Sequence, residues 1–322
     1  MKQQEANYKR KLELTILITG HTGFVGQALV NALEPKNIRL VGRRKLDMQT
    51  ADFFKKALDA NEHFADCLDG VTAVVHAAAR VHVMSDTATD PLEAYRAVNV
   101  AGTLNLARQA AAAGVQRFIF ISSIKVNGEG TLPGKPYTPF DQTNASDPYG
   151  ISKAEAEQAL QKLAAETGME LVIIRPPLVY GPCVKANFAA MLKLAQKNLP
   201  LPLGAIHNGR SMVALDNLVD LIVTCIDHPK AANQTFLVSD DNDVSTTELL
   251  KLMVKAYGKK PWLIPVPMSW FRLAGKLTGK QAIVDRLCGN LQVDISHTKD
   301  TLGWKPRISV EEGIEKCTRG HK

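Results

Sequence analysis

The sequence predicts an α/β fold: a doubly wound parallel sheet with helices on both faces, together with a smaller C-terminal domain. Short apolar runs alternate with segments of helical period through the first half of the chain. Apolar runs without polar alternation are typical of parallel strands buried on both faces, and the intervening helices supply the crossover connections. A glycine-rich turn follows the first run, and the alternation ends after Pro182.

The elements follow from the positions of these runs. We predict strands at residues 14–18, 39–41, 73–76, 117–121 and 171–174. After Pro182 we predict an apolar helix near 188–198 and a further strand near 234–238. These positions assign residues 12–182 and 211–240 to the sheet domain, and residues 183–210 and 241–322 to the smaller domain.

Composition restricts the class of protein. The 322 residues are 45% hydrophobic, enough for a large buried core, and carry a formal net charge of +7. That charge fits a phosphorylated small molecule or an anionic membrane surface as partner, or an ordinary lysine-rich surface. No basic block is interleaved with aromatic residues, so a nucleic-acid partner is not expected.

The N-terminal segment, the lengths of the apolar runs and the cysteines predict a cytoplasmic location. Segment 1–13 is polar, and no apolar run reaches the roughly 18 residues that a spanning helix needs, so neither a signal peptide nor membrane insertion is expected. The five cysteines are scattered and form no Cys-x-x-Cys pair. We therefore expect neither a disulfide framework nor a bound metal.

The glycine-rich turn joins the first strand to the first helix. It reads Thr19-Gly20-His21-Thr22-Gly23-Phe24-Val25-Gly26. We expect Gly20 to permit the tight turn, Gly23 to let backbone N–H groups approach a pyrophosphate, and Gly26 to let the helix pack closely on the strand. The motif and its position predict a Rossmann-type dinucleotide site, in which Thr22, Phe24 and Val25 also contact the cofactor.

The end of the second strand bears on the choice of cofactor. An acidic residue there would bind the adenosine ribose of NAD, but this sequence has Arg43 and Arg44. Two guanidinium groups suit a 2′-phosphate, which favours NADP(H) and leaves NAD(H) as the alternative. The other interpretation is that both arginines simply end an exposed strand. Asp59 is a candidate for contacting adenine, or an ordinary surface residue.

Three residues form a candidate catalytic set. Ser123 follows the strand at 117–121, and Tyr149 and Lys153 lie four residues apart near the start of a predicted helix. That spacing places both side chains on one face of the helix, where a lysine ammonium would lower the tyrosine pKa toward neutrality. Tyr149 then becomes a general acid or base, and Ser123 orients the same substrate oxygen.

These motifs resemble the extended short-chain dehydrogenases that act on nucleotide sugars, within the NAD-dependent epimerase/dehydratase family. The matching segments are 19–26, 77–79, 98–103, Ser122-Ser123, Tyr149-x-x-x-Lys153, 175–182, 210–216 and 302–306. The resemblance implies that Ser123, Tyr149 and Lys153 carry catalysis. It also implies a cofactor site that, besides Tyr149 and Lys153, includes Ala77, Ala78, Ala79, Asn99, Ile121, Pro176 and Leu178. For Asn99, a hydrogen bond within its own helical turn is the alternative.

The substrate end is placed by the same resemblance. Asn187 opens the helix after Pro182 and would bind the pyrophosphate of a UDP-sugar, with Leu203 and Gly204 near the base. Arg210 would bind a phosphate through its planar fork, unless it pairs with Asp216 inside the fold. Arg286 is a candidate for a second contact with a phosphate or with the ribose.

The residues that follow Ser123 narrow the class of reaction. Sugar 4,6-dehydratases of this family carry carboxylates directly after the strand-end hydroxyl, whereas this chain has Ser123-Ile124-Lys125. Asn127 stands where 4-epimerases usually carry tyrosine. Together with the two arginines, this favours a UDP-4-keto-6-deoxy-N-acetylhexosamine 4-reductase of surface polysaccharide synthesis, similar to the enzymes that form UDP-N-acetylquinovosamine.

Two alternatives remain. One is a UDP-glucose or UDP-N-acetylglucosamine 4-epimerase, and the other is a sensor that binds NADP without turning it over. The complete Ser-Tyr-Lys set argues against a sensor, which has no use for a tyrosine of adjusted pKa. Members of the resembling family typically pair through two helices, so a homodimer is expected.

Overall fold

The computed structural model describes residues 14–46, 51–81, 90–279 and 281–319, and the side chains of 274, 282 and 283 are not described. The expectation for segment 1–13 lies outside these ranges. A seven-stranded parallel sheet has the order β3-β2-β1-β4-β5-β6-β9. Its strands are β1 Ile16–Thr19, β2 Ile38–Gly42, β3 Asp52–Lys55, β4 Ala73–His76, β5 Arg117–Ile121, β6 Glu170–Arg175 and β9 Gln234–Leu237. A separate parallel pair joins β7 Leu178–Tyr180 to β8 Met212–Ala214.

The helices of the described residues connect these strands and extend the C-terminal third. They are α1 Phe24–Ala32, α2 Ala65–Leu68, α3 Pro91–Arg96, α4 Thr103–Ala112, α5 Pro148–Thr167, α6 Ala186–Lys197, α7 Leu215–Asp227, α8 Thr246–Ala256, α9 Met268–Thr278, α10 Gln281–Cys288, α11 Ser296–Leu302 and α12 Val310–Arg319. A π-helical segment, Ala97–Gly102, joins α3 to α4. Short 3₁₀ turns occur at Pro35–Asn37, Ile124–Val126 and Pro229–Ala231.

Helices cover the sheet on both faces, as the apolar strand pattern predicts. Successive residues of each strand point to opposite faces: Ile18 packs in one core cluster with α1 and α7, while Leu17 packs in the other with α4 and α5. A third cluster, built around Tyr180, Phe188 and Met253, is formed by β7, α6, α8 and α12. The α/β, Rossmann-like fold class is thus confirmed, while the division into two domains stays a prediction.

The differences from the predicted elements have simple causes. β3 is an edge strand whose four residues, Asp52–Lys55, are exposed or half-buried, so it lacks the apolar run that identifies the other strands. The pair β7 and β8 is only three residues long in each strand. No helix within the described ranges is both long and apolar enough to cross a membrane.

The register places the functional segments side by side. Thr19, the last residue of β1, is opposite Val41 in β2 and His76 in β4. Because the strands are parallel, the glycine-rich turn and the segments that follow β2, β4 and β5 all leave the sheet at its carboxyl edge. Ligands bind at this edge in open α/β sheets, where the order of the strands reverses.

Candidate active site

The glycine-rich turn has no room for side chains at two of its positions. Gly20 has φ of +74°, and a Cβ there would lie 2.5 Å from the Ala78 nitrogen. A Cβ on Gly26 would lie 2.1 Å from the Gly20 oxygen, so this glycine lets α1 approach the turn itself, more than the strand. Gly23 is the N-cap of α1 and provides no side-chain cap, which leaves the first N–H groups of the helix suited to a diphosphate.

The turn also fixes the end of β2. The His21 ring is 1% exposed, and its Nε2 donates to the Arg44 carbonyl oxygen over 2.9 Å. Arg43 and Arg44 are themselves exposed. Neither guanidinium forms an ion pair with another described residue, so both remain available to a ligand phosphate.

Asp59 lies beside the same edge but is already engaged. Its Oδ1 accepts a 2.8 Å hydrogen bond from the Asn61 nitrogen, and its carbonyl accepts one from Asn105. The backbone of Asp59 packs against Gly102, where a Cβ would come within 3.0 Å of the Asp59 nitrogen. Its role toward adenine remains a prediction.

Asn99 connects the loop after β4 to α5, the helix that carries Tyr149 and Lys153. The side chain is 1% exposed, accepts from the Arg80 nitrogen over 2.8 Å and donates to the Arg80 carbonyl. Its amide also donates to the Ser152 hydroxyl, which in turn donates to the Tyr149 carbonyl over 2.8 Å. A bond within its own helical turn is therefore not what Asn99 forms.

The N-terminus of α5 is held against the segment that carries Ser123. Asp147 caps the helix by accepting from the backbone nitrogens of Tyr149 and Gly150. The other oxygen of Asp147 pairs with Lys125 at 2.8 Å, and Lys125 lies two residues after Ser123. Burial of Asp147 opposes ionisation, but hydrogen bonds, first from Glu129 and then from Lys125, hold its pKa below the ordinary value.

The ring of Tyr149, a half-buried residue, packs edge-on against the ring of Tyr95 with 6.1 Å between centroids. Burial, then the charge of Asp147, raises the pKa of Tyr149 above its ordinary value of 10. The prediction that Lys153 lowers this pKa is therefore not confirmed. The physical reason is that the ammonium is directed at another partner.

That partner is the carboxyl end of β5. Lys153 is 2% exposed, and its Nζ donates to the Ile121 carbonyl over 2.8 Å and lies 4.2 Å above the centre of the Phe120 ring. Burial lowers the pKa of Lys153 to about 7, although the nearby Glu157 carboxylate opposes this effect. The amine can therefore gain or lose a proton near neutrality.

A buried polar network behind this helix was not predicted. Glu157 accepts from the Ser122 hydroxyl and forms an ion pair with Arg175 at 2.6 Å, and the side chains of both ions are at most 5% exposed. Arg175 also donates to Asn127. The spacing held a usable signal, since Glu157 is four residues after Lys153 on the same helix.

A second network ties β1 to β4 beneath the cofactor edge. The fully buried ring of His76 contacts the hydroxyl of Thr19 at 2.8 Å and that of Thr103 at 2.9 Å. Burial, then the charge of Lys153, lowers the pKa of His76 to about 3. The ring is thus a neutral structural link, and nothing in the sequence pattern distinguishes it from a catalytic histidine.

The remaining predicted cofactor residues surround the same edge. Ala77, Ala78 and Ala79 are half-buried directly after β4, and Ile121 ends β5. Pro176 is buried between β6 and β7, whereas Leu178 is 45% exposed in β7.

The predicted substrate residues lie in the C-terminal part. Asn187 is exposed as the second residue of α6. The Leu203 carbonyl accepts from Thr247 at 2.6 Å, and the Gly204 nitrogen donates to the Ile264 carbonyl over 2.9 Å. A Cβ on Gly204 would lie 2.8 Å from the carbonyl carbon of Ile264, so this glycine permits a close backbone crossing.

Arg210 and Arg286 are brought together through the backbone. Nη1 of Arg210 donates to the carbonyls of Arg286 and Gly289 at the end of α10. The alternative pairing of Arg210 with Asp216 is wrong, because Asp216 pairs with Lys316.

The Rossmann-like fold and the residues at the carboxyl edge of the sheet define a class of dinucleotide-binding proteins. The comparisons with known proteins agree with this class. The sequence matches the family described as "NAD dependent epimerase/dehydratase family" over residues 16–239. The chain belongs to this family of NAD-dependent enzymes. The protein described as "UDP-glucose 4-epimerase" of Vibrio cholerae is 54% identical over 315 residues, which cover 96% of each chain.

Solved structures show the same fold. The UDP-glucose 4-epimerase of Thermotoga maritima, solved with UDP-glucose, is similar with a TM-score of 0.74 and 22% identity, and the match covers 96% of this chain and 98% of that one. The UDP-glucuronic acid 4-epimerase of Bacillus cereus, solved with NAD, has a TM-score of 0.76 at 19% identity, with 95% and 98% covered.

Proposed function

We propose that this protein is an NAD-dependent 4-epimerase of a UDP-linked hexose. The observation that carries the proposal is the 54% identity to the Vibrio cholerae UDP-glucose 4-epimerase along nearly the whole of both chains. This reverses the preference for a 4-keto reductase that the sequence motifs alone suggested. The predicted catalytic set supports the proposal, since Ser123 follows β5, Lys153 bonds to the Ile121 carbonyl at the end of that strand, and Tyr149 is one helical turn before Lys153.

The residues present fit a dinucleotide. Gly20 and Gly26 let the turn pack tightly against the backbone of Ala78 and against itself, and α1 opens beside it without a side-chain cap. Gly23, Asn99 and Lys153 would border the cofactor from its diphosphate to its nicotinamide ribose. Bound NAD⁺ supplies the hydride acceptor and a positive charge.

Tyr149 would accept the proton of the sugar O4 hydroxyl when C4 is oxidised and return it when C4 is reduced. Burial keeps its hydroxyl protonated before ligands bind, so removing a proton from O4 requires a positive charge beside the phenol. Ser123 would hold O4 for this transfer. Lys153, whose pKa is about 7, would gain or lose a proton and so change the charge near the phenol of Tyr149.

The substrate end completes the proposal. Asn187 and Arg210 would bind the diphosphate of UDP, with Leu203 and Gly204 next to the uracil. The side chain of Arg286 is exposed, so it would contact a phosphate only from the rim of the site.

Product analysis tests the reaction. The protein is incubated with UDP-glucose or UDP-N-acetylglucosamine and NAD⁺, without reduced cofactor, and the sugars are separated by chromatography. We expect the 4-epimer to accumulate to an equilibrium ratio without net formation of NADH. Absence of epimer from both sugars, with Tyr149→Phe as the blank, would rule out the proposed reaction on these substrates.

The 4-keto reductase is the second candidate. It is favoured by Arg43 and Arg44, which are exposed and without ion pairs in the described residues, and which suit the 2′-phosphate of NADPH. It predicts oxidation of NADPH by a UDP-4-keto-6-deoxy-N-acetylhexosamine. We expect Arg43→Asp to weaken NADPH binding about tenfold or more and to spare NADH, since one charge-assisted contact is lost. Equal affinities of the unmodified protein for NADPH and NADH would contradict the assignment of Arg43 and Arg44 to a 2′-phosphate, and no oxidation of either cofactor by the 4-keto sugar would exclude the reductase.

A further inference from the structure

One surface of the C-terminal part exposes large apolar side chains next to cations. Trp270 is 69% exposed, Leu277 78% and Trp262 61%. We call this surface the basic apolar face. Its apolar members are Trp262, Ile264, Trp270, Leu273 and Leu277, and its cations are Lys259, Lys260, Arg272 and Lys276.

The apolar stripe lies along the outer side of α9. Trp270, Leu273 and Leu277 are spaced by three and four residues, so they project from one side of the helix. The buried Gly275 is on the other side, where a Cβ would lie 2.8 Å from Val284 of α10. Helix α9 therefore packs inward through a small residue and presents its largest apolar residues outward.

The segment 259–264 is a second exposed stretch with apolar residues and lysines, and it lies beside the end of α6. The Leu201 nitrogen donates to the Trp262 carbonyl, and the Ile264 nitrogen donates to the Leu201 carbonyl over 2.8 Å. Asn198 donates to the Lys260 carbonyl. These bonds fix the second tryptophan and its neighbouring lysines to the same part of the molecule as Leu199, which is 50% exposed.

Cations predominate in this region, although Asp285 of α10 lies, like Arg272, near Cys288. No Asp or Glu occurs between Leu171 and Leu215, or between Leu249 and Val284, although the whole chain contains 32. Arg272 and Lys276 lie with Met268, Ser269 and Leu273 along an open flank of α9. The face thus combines apolar side chains with cations that no acidic residue of these segments neutralises.

We propose that the basic apolar face docks on an anionic lipid bilayer. Tryptophan, leucine and flanking Lys and Arg side chains are the composition of helices that lie in the membrane interface, with apolar groups at the acyl boundary and cations at the headgroups. α9 has 11 residues, so it would lie in the plane of the surface. Arg272 and Lys276, one helical turn apart, would contact lipid phosphates.

Docking would set the substrate end against the membrane. The Gly204 nitrogen bonds to Ile264 of this face, and Arg210 bonds to the carbonyl of Arg286 in the helix that packs on α9. The proposal concerns where the protein acts and does not depend on which reaction it catalyses.

Vesicle co-sedimentation tests the proposal with the full-length protein. Binding is measured on vesicles of phosphatidylcholine alone and of phosphatidylcholine mixed with phosphatidylglycerol. We expect binding to the mixed vesicles, little to phosphatidylcholine, and release by salt, because salt screens the cations. A blue shift of the tryptophan fluorescence should accompany binding, as Trp270 and Trp262 leave water.

Matched variants separate the face from general effects. Arg272→Glu/Lys276→Glu should weaken binding about tenfold or more, whereas Lys36→Glu/Lys230→Glu, with the same change of net charge, should not. Trp270→Ser/Leu277→Ser should abolish the fluorescence shift, whereas Leu132→Ser/Phe140→Ser, which are equally exposed elsewhere, should leave it. Thermal unfolding confirms that each variant is folded.

Three results would overturn the proposal: no binding to the mixed vesicles, equal losses in the control variants, or a dimer in solution that the α9 substitutions dissociate. The last result would assign the face to a second copy of this chain.

Discussion

The catalytic edge of the sheet and the C-terminal surface around α9 differ in how their polar groups are held. At the edge, Asn99, Lys153 and His76 are buried, and each has a hydrogen-bond partner within the protein. Around α9, Arg272 and Lys276 are exposed among apolar side chains that are exposed as well. In the first region, bonds within the protein hold the polar groups in one geometry. In the second region, the charged groups are exposed to a ligand or partner.

This difference separates what the sheet determines from what it leaves open. The edge is built from strand ends, so its geometry follows from the sheet, which the chain shares with structures of about 20% identity. The predicted substrate residues lie outside the main sheet, Asn187 at the start of α6 and Leu203 and Arg210 between α6 and β8, so the strand order does not fix them. The following predictions test this contrast, from the largest expected effect to the smallest.

Tyr149→Phe should lower turnover by about 10² to 10⁴, because it removes the group that exchanges a proton with the substrate oxygen. The ring is unchanged, so the packing against Tyr95 and the cofactor affinity should survive. The measurement is steady-state turnover together with cofactor titration, and Tyr257→Phe, outside the edge, is the control. More than about a tenth of normal turnover would mean that another group supplies the proton.

Lys153→Met should abolish turnover and yet raise the melting temperature at pH 6. The pKa of Lys153 is about 7 in the folded protein against 10.5 ordinarily, so folding disfavours the ammonium. That cost is complete below pH 7 and fades as the pH rises to 10.5. The difference in melting temperature between variant and wild type should therefore shrink from pH 6 to pH 10. A difference that is constant with pH would contradict the buried-ammonium interpretation.

Arg210→Ala should raise KM for a UDP-sugar about tenfold or more, because one charge-assisted phosphate contact is lost. The cofactor dissociation constant should hardly change. Arg108→Ala, an exposed arginine of α4, serves as the control. If cofactor affinity falls instead, Arg210 belongs to the other ligand.

Ser152→Ala should have the smallest effect, a loss of about 1 kcal/mol in the free energy of unfolding. It removes the link from Asn99 to the Tyr149 carbonyl but leaves Asn99 bonded to Arg80. Thr224→Ala removes a similar bond, to the Asp220 carbonyl, far from the edge. Only Ser152→Ala should also lower kcat, and equal kcat in both variants would show that the link is structural.

Much of the fold could be predicted from the sequence. Six strands of the main sheet follow from apolar runs, and the helix predicted near 188–198 is Ala186–Lys197. The glycine-rich turn was also recognisable, because its backbone conformation admits few residues. β3 and the short β7–β8 pair were not found, since an exposed edge strand and a three-residue strand lack a period to detect.

The site could be predicted from the sequence only where its residues are close together in the chain. Helical spacing related Tyr149 to Lys153, but it could not show that the ammonium is directed to the Ile121 carbonyl. That preference depends on β5, which is distant in sequence. The Glu157–Arg175 pair joins two separate elements in the same way, and the pairing of Asp216 with Lys316 spans 100 residues. Partners of this kind are chosen by tertiary packing.

The π-helical turn 97–102 acts as a phase shift in an otherwise continuous helix. Upstream, Tyr95 packs on Tyr149, and downstream, Leu106 packs in the sheet core. Each residue of an α-helix turns the chain by about 100°, so a segment with one extra residue per turn offsets everything after it by that angle. Deleting one residue from this turn would restore regular helix, but it would rotate Leu106 out of the core or Tyr95 away from the active site. A relative aligned here with a single-residue gap would therefore be expected to orient its tyrosine differently.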